Sequence, residues 1–187
     1  YPNCAYRFSG GATEFLTTNM GSGIIASPST PFSISLWYSP QSTAAGSYEL
    51  LFGRGTGLNC PDGTGEISLG LYDCRKPVMR FDQYSSWDYT LNNAGSCLDI
   101  ANLYIANGWQ HLVAVYDPSL PLGNRYTIYR NGMPSNTPSG PCGTAYSDLG
   151  DLYIGTEYLG LIDDIFFYDR PLSVTEVYQL QSLGSSC

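Results

Sequence analysis

The chain has 187 residues, of which 43% are hydrophobic, 14% aromatic and only 13% charged, and its formal net charge is -8. Eight basic residues without a cluster exclude a nucleic-acid-binding face and a polybasic membrane anchor. The apolar content is too high for disorder and sufficient for one large β domain, so residues 1–187 read as a single domain.

Short runs rich in β-branched and aromatic residues recur between Gly, Pro, Asn and Ser clusters. Strands are predicted at Tyr6–Phe8, Glu14–Thr17, Phe32–Ser39, Glu49–Arg54, Glu66–Tyr72, Val78–Tyr84, Trp109–Asp117, Tyr126–Arg130, Leu152–Thr156 and Leu161–Tyr168. Between Phe32 and Trp37, the residues Phe32, Ile34 and Leu36 share one face. Between Trp109 and Tyr116, the residues Trp109, His111, Val113 and Val115 share one face, and Leu112, Ala114 and Tyr116 the other. Apolar residues on both faces predict a strand covered on both sides, or a face lined with aromatics. Asn131-Gly132 is a tight-turn signal, because both residues tolerate positive φ. Near the end, Ser173-Val174-Thr175-Glu176 is a capping box, and Gly184 supplies a stop. The pattern predicts an all-β, two-sheet antiparallel sandwich with one short C-terminal helix.

Six cysteines stand at Cys4, Cys60, Cys74, Cys97, Cys142 and Cys187. An even number without Cys-x-x-Cys spacing predicts three disulfides and not a zinc site. Persistent disulfides need an oxidising compartment, so a secreted, extracellular protein is expected. Tyr1-Pro2-Asn3-Cys4 reads as a mature N-terminus. No apolar run approaches the ~20 residues of a membrane span, and no membrane insertion is expected. There is no Asn-x-Ser/Thr sequon. The Ser/Thr/Pro-rich stretches Ser27–Pro31 and Pro134–Pro141 read as stiff surface loops or as carriers of O-linked sugars.

Four segments together resemble a known family. They are Tyr6-Arg7-Phe8-Ser9-Gly10-Gly11, the run Phe32 to Pro40, the pair Trp109 to Asp117 with Tyr126 to Gly132, and the run Gly160 to Ser173. In that order they resemble the concanavalin A-like lectin/glucanase superfamily, in its laminin G-like and pentraxin-like branch. The resemblance implies a jelly-roll sandwich, an extracellular setting, and glycan or protein binding without catalysis. It also implies that the first and last strands are neighbours, which would bring Cys4 and Cys187 together as a disulfide. The other four cysteines allow three pairings, left open here.

Each candidate chemistry has a plain alternative. His111 is the only histidine, so a Ser-His-Asp or Cys-His site would have to use it. Its phase with Trp109 and Val113 argues for a structural role. Glycoside hydrolysis needs paired carboxylates. The glutamates stand apart at 14, 49, 66, 157 and 176, and the adjacent Asp163 and Asp164 should point to opposite faces of a strand. No catalytic residues are therefore assigned. Asp163 shares parity with Ile165 and Phe167, so its carboxylate must be paired, hydrogen-bonded or metal-bound. The resemblance implies calcium there, near the first strand, although Ser9 stands where the family often has Asp. The alternative is that Asp163 caps backbone N–H groups. Calcium is the sole cofactor considered.

The segment Asp82 to Asn92 is the binding candidate. Aromatic rings hold the apolar faces of sugars while carboxylates fix hydroxyls. Asp82, Tyr84, Trp87, Asp88 and Tyr89 have that mixture, and the alternative is an aromatic strand pair covering a sheet. The expected partner is a glycan or an extracellular protein. A second reading is a self-assembling structural block of a filament, sheath or matrix, and a third, weaker one is a glycoside hydrolase.

Overall fold

Alternation along the first long strand dictates the architecture. Phe32, Ile34, Leu36 and Tyr38 are all 1% exposed or less and face one core, while Ser33, Ser35 and Trp37 take the opposite face. The computed structural model describes residues 5–11, 13–18, 29–41, 49–54, 67–72, 76–81, 84–87, 108–121, 124–135, 140–141 and 152–184. In chain order the strands are β1 (Tyr6–Ser9), β2 (Leu16–Thr18), β3 (Phe32–Pro40), β4 (Glu49–Arg54), β5 (Ile67–Tyr72), β6 (Lys76–Phe81) and β7 (Tyr84–Trp87). They continue with β8 (Gln110–Tyr116), β9 (Tyr126–Arg130), β10 (Met133–Ser135), β11 (Gly140–Pro141), β12 (Leu152–Ile154) and β13 (Leu159–Tyr168), and helix α1 (Val174–Leu183) follows. A six-stranded sheet has the order β1-β13-β3-β8-β9-β10, and a seven-stranded sheet the order β11-β7-β6-β5-β4-β12-β2. All pairings are antiparallel, so the expected two-sheet sandwich with one short helix is the observed fold.

The two inner faces meet in one core. The six-stranded sheet contributes Phe8, Phe32, Leu36, Leu112, Tyr116 and Ile162; the seven-stranded sheet contributes Leu51, Phe52, Leu69, Leu71 and Leu152. A second, smaller core lies on the outer face of the six-stranded sheet, where Val113, Val115 and Tyr129 meet Leu172 and Val177. This is why β8 is buried along its whole length, as its two apolar faces predict. Ser33 ties the connection down: its Oγ donates to the Arg170 carbonyl and accepts from the Leu172 N–H, both at 2.9 Å.

Local signals act as expected where neighbours in sequence decide. Asn131 (φ 50°) and Gly132 (φ 79°) form the two-residue turn between β9 and β10, with Arg130 opposite Met133. At the N-terminus of α1, the Ser173 Oγ accepts from the Glu176 N–H and the Glu176 carboxylate accepts from the Ser173 N–H. Arg170 holds Glu176 through both guanidinium nitrogens, at 2.6 and 3.1 Å. This pairing first, and then the Ser173 N–H, lower the Glu176 pKa to about 2.

Two expectations differ. The predicted strand Val78–Tyr84 is divided, with β6 ending at Phe81 and β7 starting at Tyr84 and pairing back onto it. The short β10 and β11 carry Pro134 and Pro141 and lie at sheet edges, where a missing N–H is tolerated. The first and last strands do pair, with Tyr6 opposite Ile162. All six cysteines lie outside the described residues, so the Cys4–Cys187 expectation stands as one.

Candidate functional site

Of the aromatic segment expected to bind ligand, the described part is β7, hydrogen-bonded between β6 and the edge strand β11 of the seven-stranded sheet. Tyr84 stands opposite Phe81 and Pro141, and Trp87 opposite Val78, at the two ends of the strand. Asp82, Asp88 and Tyr89 fall outside the described residues. This edge lies away from α1, which covers the other sheet.

Asp163 sits at an irregularity that its sequence parity does not reveal. Along β13, Asp163 pairs with Trp37, but Phe166 pairs with Ser35: three steps on one strand against two on the other. The extra residue is a β-bulge, and Asp164 there takes φ 48°. The bulge resets the alternation. Ile162 is in the core before it, and Ile165 and Phe167 pack on the same core after it. Asp163 is thereby released from the core-facing row and placed in register with Trp37, on the outer face. Its Oδ1 accepts from the Asp164 N–H at 2.9 Å, the backbone-capping role given as the alternative to calcium. The opposite-face argument for Asp163 and Asp164 also fails here, because that argument holds only in a regular strand. Two adjacent Asp residues inside an apolar run were the available signal, since Asp tolerates a left-handed backbone better than most residues. Among the described residues, no three His, Cys, Asp or Glu side chains gather as a metal site. Ser9, where the family often has Asp, has its N–H bonded to the Glu14 carboxylate at 2.7 Å.

His111 is 1% exposed on β8, directly opposite Trp37. The two rings lie 4.9 Å apart between centroids and 33° from parallel. Nε2 is 2.9 Å from the Ser35 Oγ, and among the described residues Nδ1 has no hydrogen-bond partner. The His111 backbone N–H donates to the Asn131 Oδ1, and the Asn131 Nδ2 donates to the Gln110 Oε1. Burial pushes the imidazole pKa down to about 4, so the ring is neutral at pH 7. A Ser–His pair at hydrogen-bond distance resembles two members of a hydrolytic triad. Among the described residues no third member orients Nδ1, and the Ser35 hydroxyl belongs to a residue only 2% exposed. The described glutamates are dispersed as the sequence implies: Glu14 before β2, Glu49 at the start of β4, Glu157 in a turn and Glu176 on α1.

The laminin G family model of the concanavalin A-like lectin/glucanases superfamily matches residues 10–178. The chain belongs to this superfamily. No curated protein matches the sequence. Among solved structures, the binding domain of Paraclostridial mosquitocidal protein 1 is similar at TM-score 0.62 and 15% identity, over 95% of this chain and 42% of that one. Domain 4 of AbnA, an extracellular arabinanase from Geobacillus stearothermophilus solved with arabinotriose, is similar at TM-score 0.55 and 17% identity, over 95% of this chain and 76% of that one. Trypanosoma rangeli sialidase in complex with sialic acid gives TM-score 0.58 and 15% identity, over 95% of this chain and 27% of that one. At these identities the likeness is one of fold. The chain spans less than half the length of the mosquitocidal and sialidase chains. Among the described residues, no helix is long and apolar enough to cross a membrane.

Proposed function

We propose that this superfamily member is a non-catalytic extracellular recognition module that binds a glycan. The architecture carries the reading: the sandwich superposes over 95% of its length on a domain solved with arabinotriose. Binding domains of toxins share the same fold. Among the described residues, the lack of a hydrogen-bond partner on His111 Nδ1 and the dispersed glutamates support binding without turnover. The proposed ligand contacts are those read from the sequence, Asp82, Tyr84, Trp87, Asp88 and Tyr89, with an extracellular protein as the other partner class. The six cysteines support secretion. Calcium at Asp163 belongs to this reading as a test.

The experiment is a glycan array on the oxidised protein, with calcium and with EDTA, with its mass read by light scattering in the same buffers. The reading expects saturable glycan binding by a monomer, lost in Trp87→Ala. Loss in EDTA brings calcium and Asp163 into the site; equal binding in both buffers removes them. Self-association without a glycan signal overturns the reading and favours an assembly subunit. The exposed apolar side chains of Met133, Val174, Tyr178 and Leu183 on and beside α1 are the observation behind that second outcome.

A further inference from the structure

A cavity of about 220 Å³ opens on the outer face of the six-stranded sheet, beside the last turn of α1. Among its described lining residues, β3 contributes Trp37, β8 His111, β13 Asp164 and Phe166, and α1 Leu180 and Leu183. β7 belongs to the other sheet.

Size selects a single ring. The cavity exceeds the roughly 150 Å³ that holds benzene inside an engineered protein core. It falls below the roughly 300–1,000 Å³ of sites for drug-sized ligands. The walls favour an aromatic ring. Pairing of β3 with β8 holds the Trp37 and His111 rings 4.9 Å apart between centroids, and Phe166 adds a ring that is 49% exposed. Leu180 and Leu183 line the α1 side. A flat π ligand gains offset or edge contacts on such rings, in addition to the area it buries. The same wall holds an unsatisfied polar atom. His111 is 1% exposed, and among the described residues its Nδ1 has no hydrogen-bond partner. Native interiors keep few such atoms, and each calls for a reason beyond packing.

Polar groups narrow the class. A sugar ring would bring several hydroxyls into the cavity, and the Ser35 hydroxyl in its lining already meets His111 Nε2 at 2.9 Å. Asp164 already has a partner inside the protein, so its charge is not reserved for a ligand cation. An ionised carboxylate has about four lone-pair sites, and one further hydrogen bond from a neutral donor is compatible with the partner it has. The geometry points to a second binding site here, one that takes a single neutral aromatic ring with one hydrogen-bond donor, a phenol or an indole. The ring lies against Trp37 and Phe166, and its O–H or N–H donates to Asp164. Two sources present that chemistry, a free small molecule and a tyrosine or tryptophan side chain of a protein, and the test separates them. The site does not rest on the glycan-binding reading.

The test is NMR titration of the ¹⁵N-labelled protein with p-cresol and with indole. Toluene, tetramethylammonium and methyl glucoside are the comparison probes. His111 is the only histidine, so one imidazole reports the cavity, and the ring current of an aromatic ligand adds to its shift. The expected result is a saturable imidazole shift with p-cresol and indole, with p-cresol about tenfold tighter than toluene, which lacks the donor. Phe166→Ala, at a half-exposed site, weakens p-cresol binding about tenfold. Asp164→Asn, which keeps a residue tolerant of the bulge, narrows the gap between p-cresol and toluene. An unmoved imidazole with both aromatic probes overturns the proposal. So does p-cresol affinity unchanged by Phe166→Ala, toluene binding as tight as p-cresol, or tighter binding of tetramethylammonium or methyl glucoside. N-acetyltryptophanamide binding as tightly as indole supports the site with a protein side chain as the source; its failure beside bound indole supports the site with a free small molecule. Array binding lost in Trp87→Ala, beside an unmoved imidazole, refutes this site and leaves the glycan-binding reading standing.

Discussion

Acid should destabilise this protein through a single side chain. His111 is buried, its Nε2 meets the Ser35 hydroxyl, and among the described residues its Nδ1 has no hydrogen-bond partner. Asp164 on β13 is the charged group among the described residues lining the cavity of about 220 Å³ beside it; Trp37 from β3 and Leu180 and Leu183 from α1 are uncharged. Burial holds the folded pKa at about 4, against 6.5 for the unperturbed group. The unfolded chain therefore binds a proton near pH 6.5 that the folded chain refuses until about pH 4. Stability is intact above pH 6.5 and falls as the pH drops through that window. From these two values, linkage gives a loss of about 2 kcal/mol between pH 7 and pH 5, and of about 3 kcal/mol by pH 4. The window is clean, because the chain has no other histidine. The Glu14 and Glu176 carboxylates, lowered from 4.5 by their hydrogen bonds, titrate below it. The assay is urea unfolding followed by tryptophan fluorescence at a series of pH values, on the wild type and His111→Gln. The wild type should lose about 2 kcal/mol between pH 7 and pH 5, and the variant should stay nearly flat. Equal slopes for the two proteins would refute the assignment, whatever the variant's stability at pH 7.

Gly155 has φ 81°, and a Cβ there would overlap the ring of Phe8, which is fully buried. Gly155→Ala should cost about 2–4 kcal/mol, backbone strain plus overpacking. Gly108→Ala, at φ 63° with nothing within 4 Å, should cost about 1 kcal/mol, so equal urea midpoints for the two variants would sink the packing argument. Ser173→Ala removes the N-cap of α1 and should cost about 1 kcal/mol in thermal unfolding. Glu176→Gln keeps a capping-box residue and loses only an exposed ion pair with Arg170, so it should leave the melting temperature nearly unchanged; a larger loss than that of Ser173→Ala would contradict this ranking. Non-reducing peptide mapping should link Cys4 to Cys187, a closure worth about 4–5 kcal/mol in the chain-entropy model. A different partner for Cys4 would break the link between terminal-strand pairing and the disulfide.

Most of the scaffold was legible residue by residue, because its signals are local. Alternation assigned the inner and outer faces of β3 and β8, Asn131-Gly132 set the β9–β10 turn, and Ser173 with Glu176 opened α1. Each depends on neighbours within about four positions, where side-chain spacing and backbone preference decide. The break between β6 and β7 was not legible, because Phe81 and Tyr84 are equally good strand formers. The binding candidate at Asp82 to Tyr89 came from composition, and only a ligand will test it.

By itself the sequence determined a charge-poor, aromatic-rich β sandwich, with one helix capped at Ser173 and strand faces readable from a period of two. Tertiary structure alone decided the bulge after Asp163, which returns Ile165 and Phe167 to the core and leaves Asp164 in the cavity lining. A bulge is an extra residue measured against a partner strand, so it exists only once β13 has paired with β3. The same holds for the meeting of Ser35 and Trp37 on β3 with His111 on β8 and Asp164 on β13, three stretches far apart along the chain. Strand register and the seating of α1 bring them to one place, and no local pattern encodes that meeting.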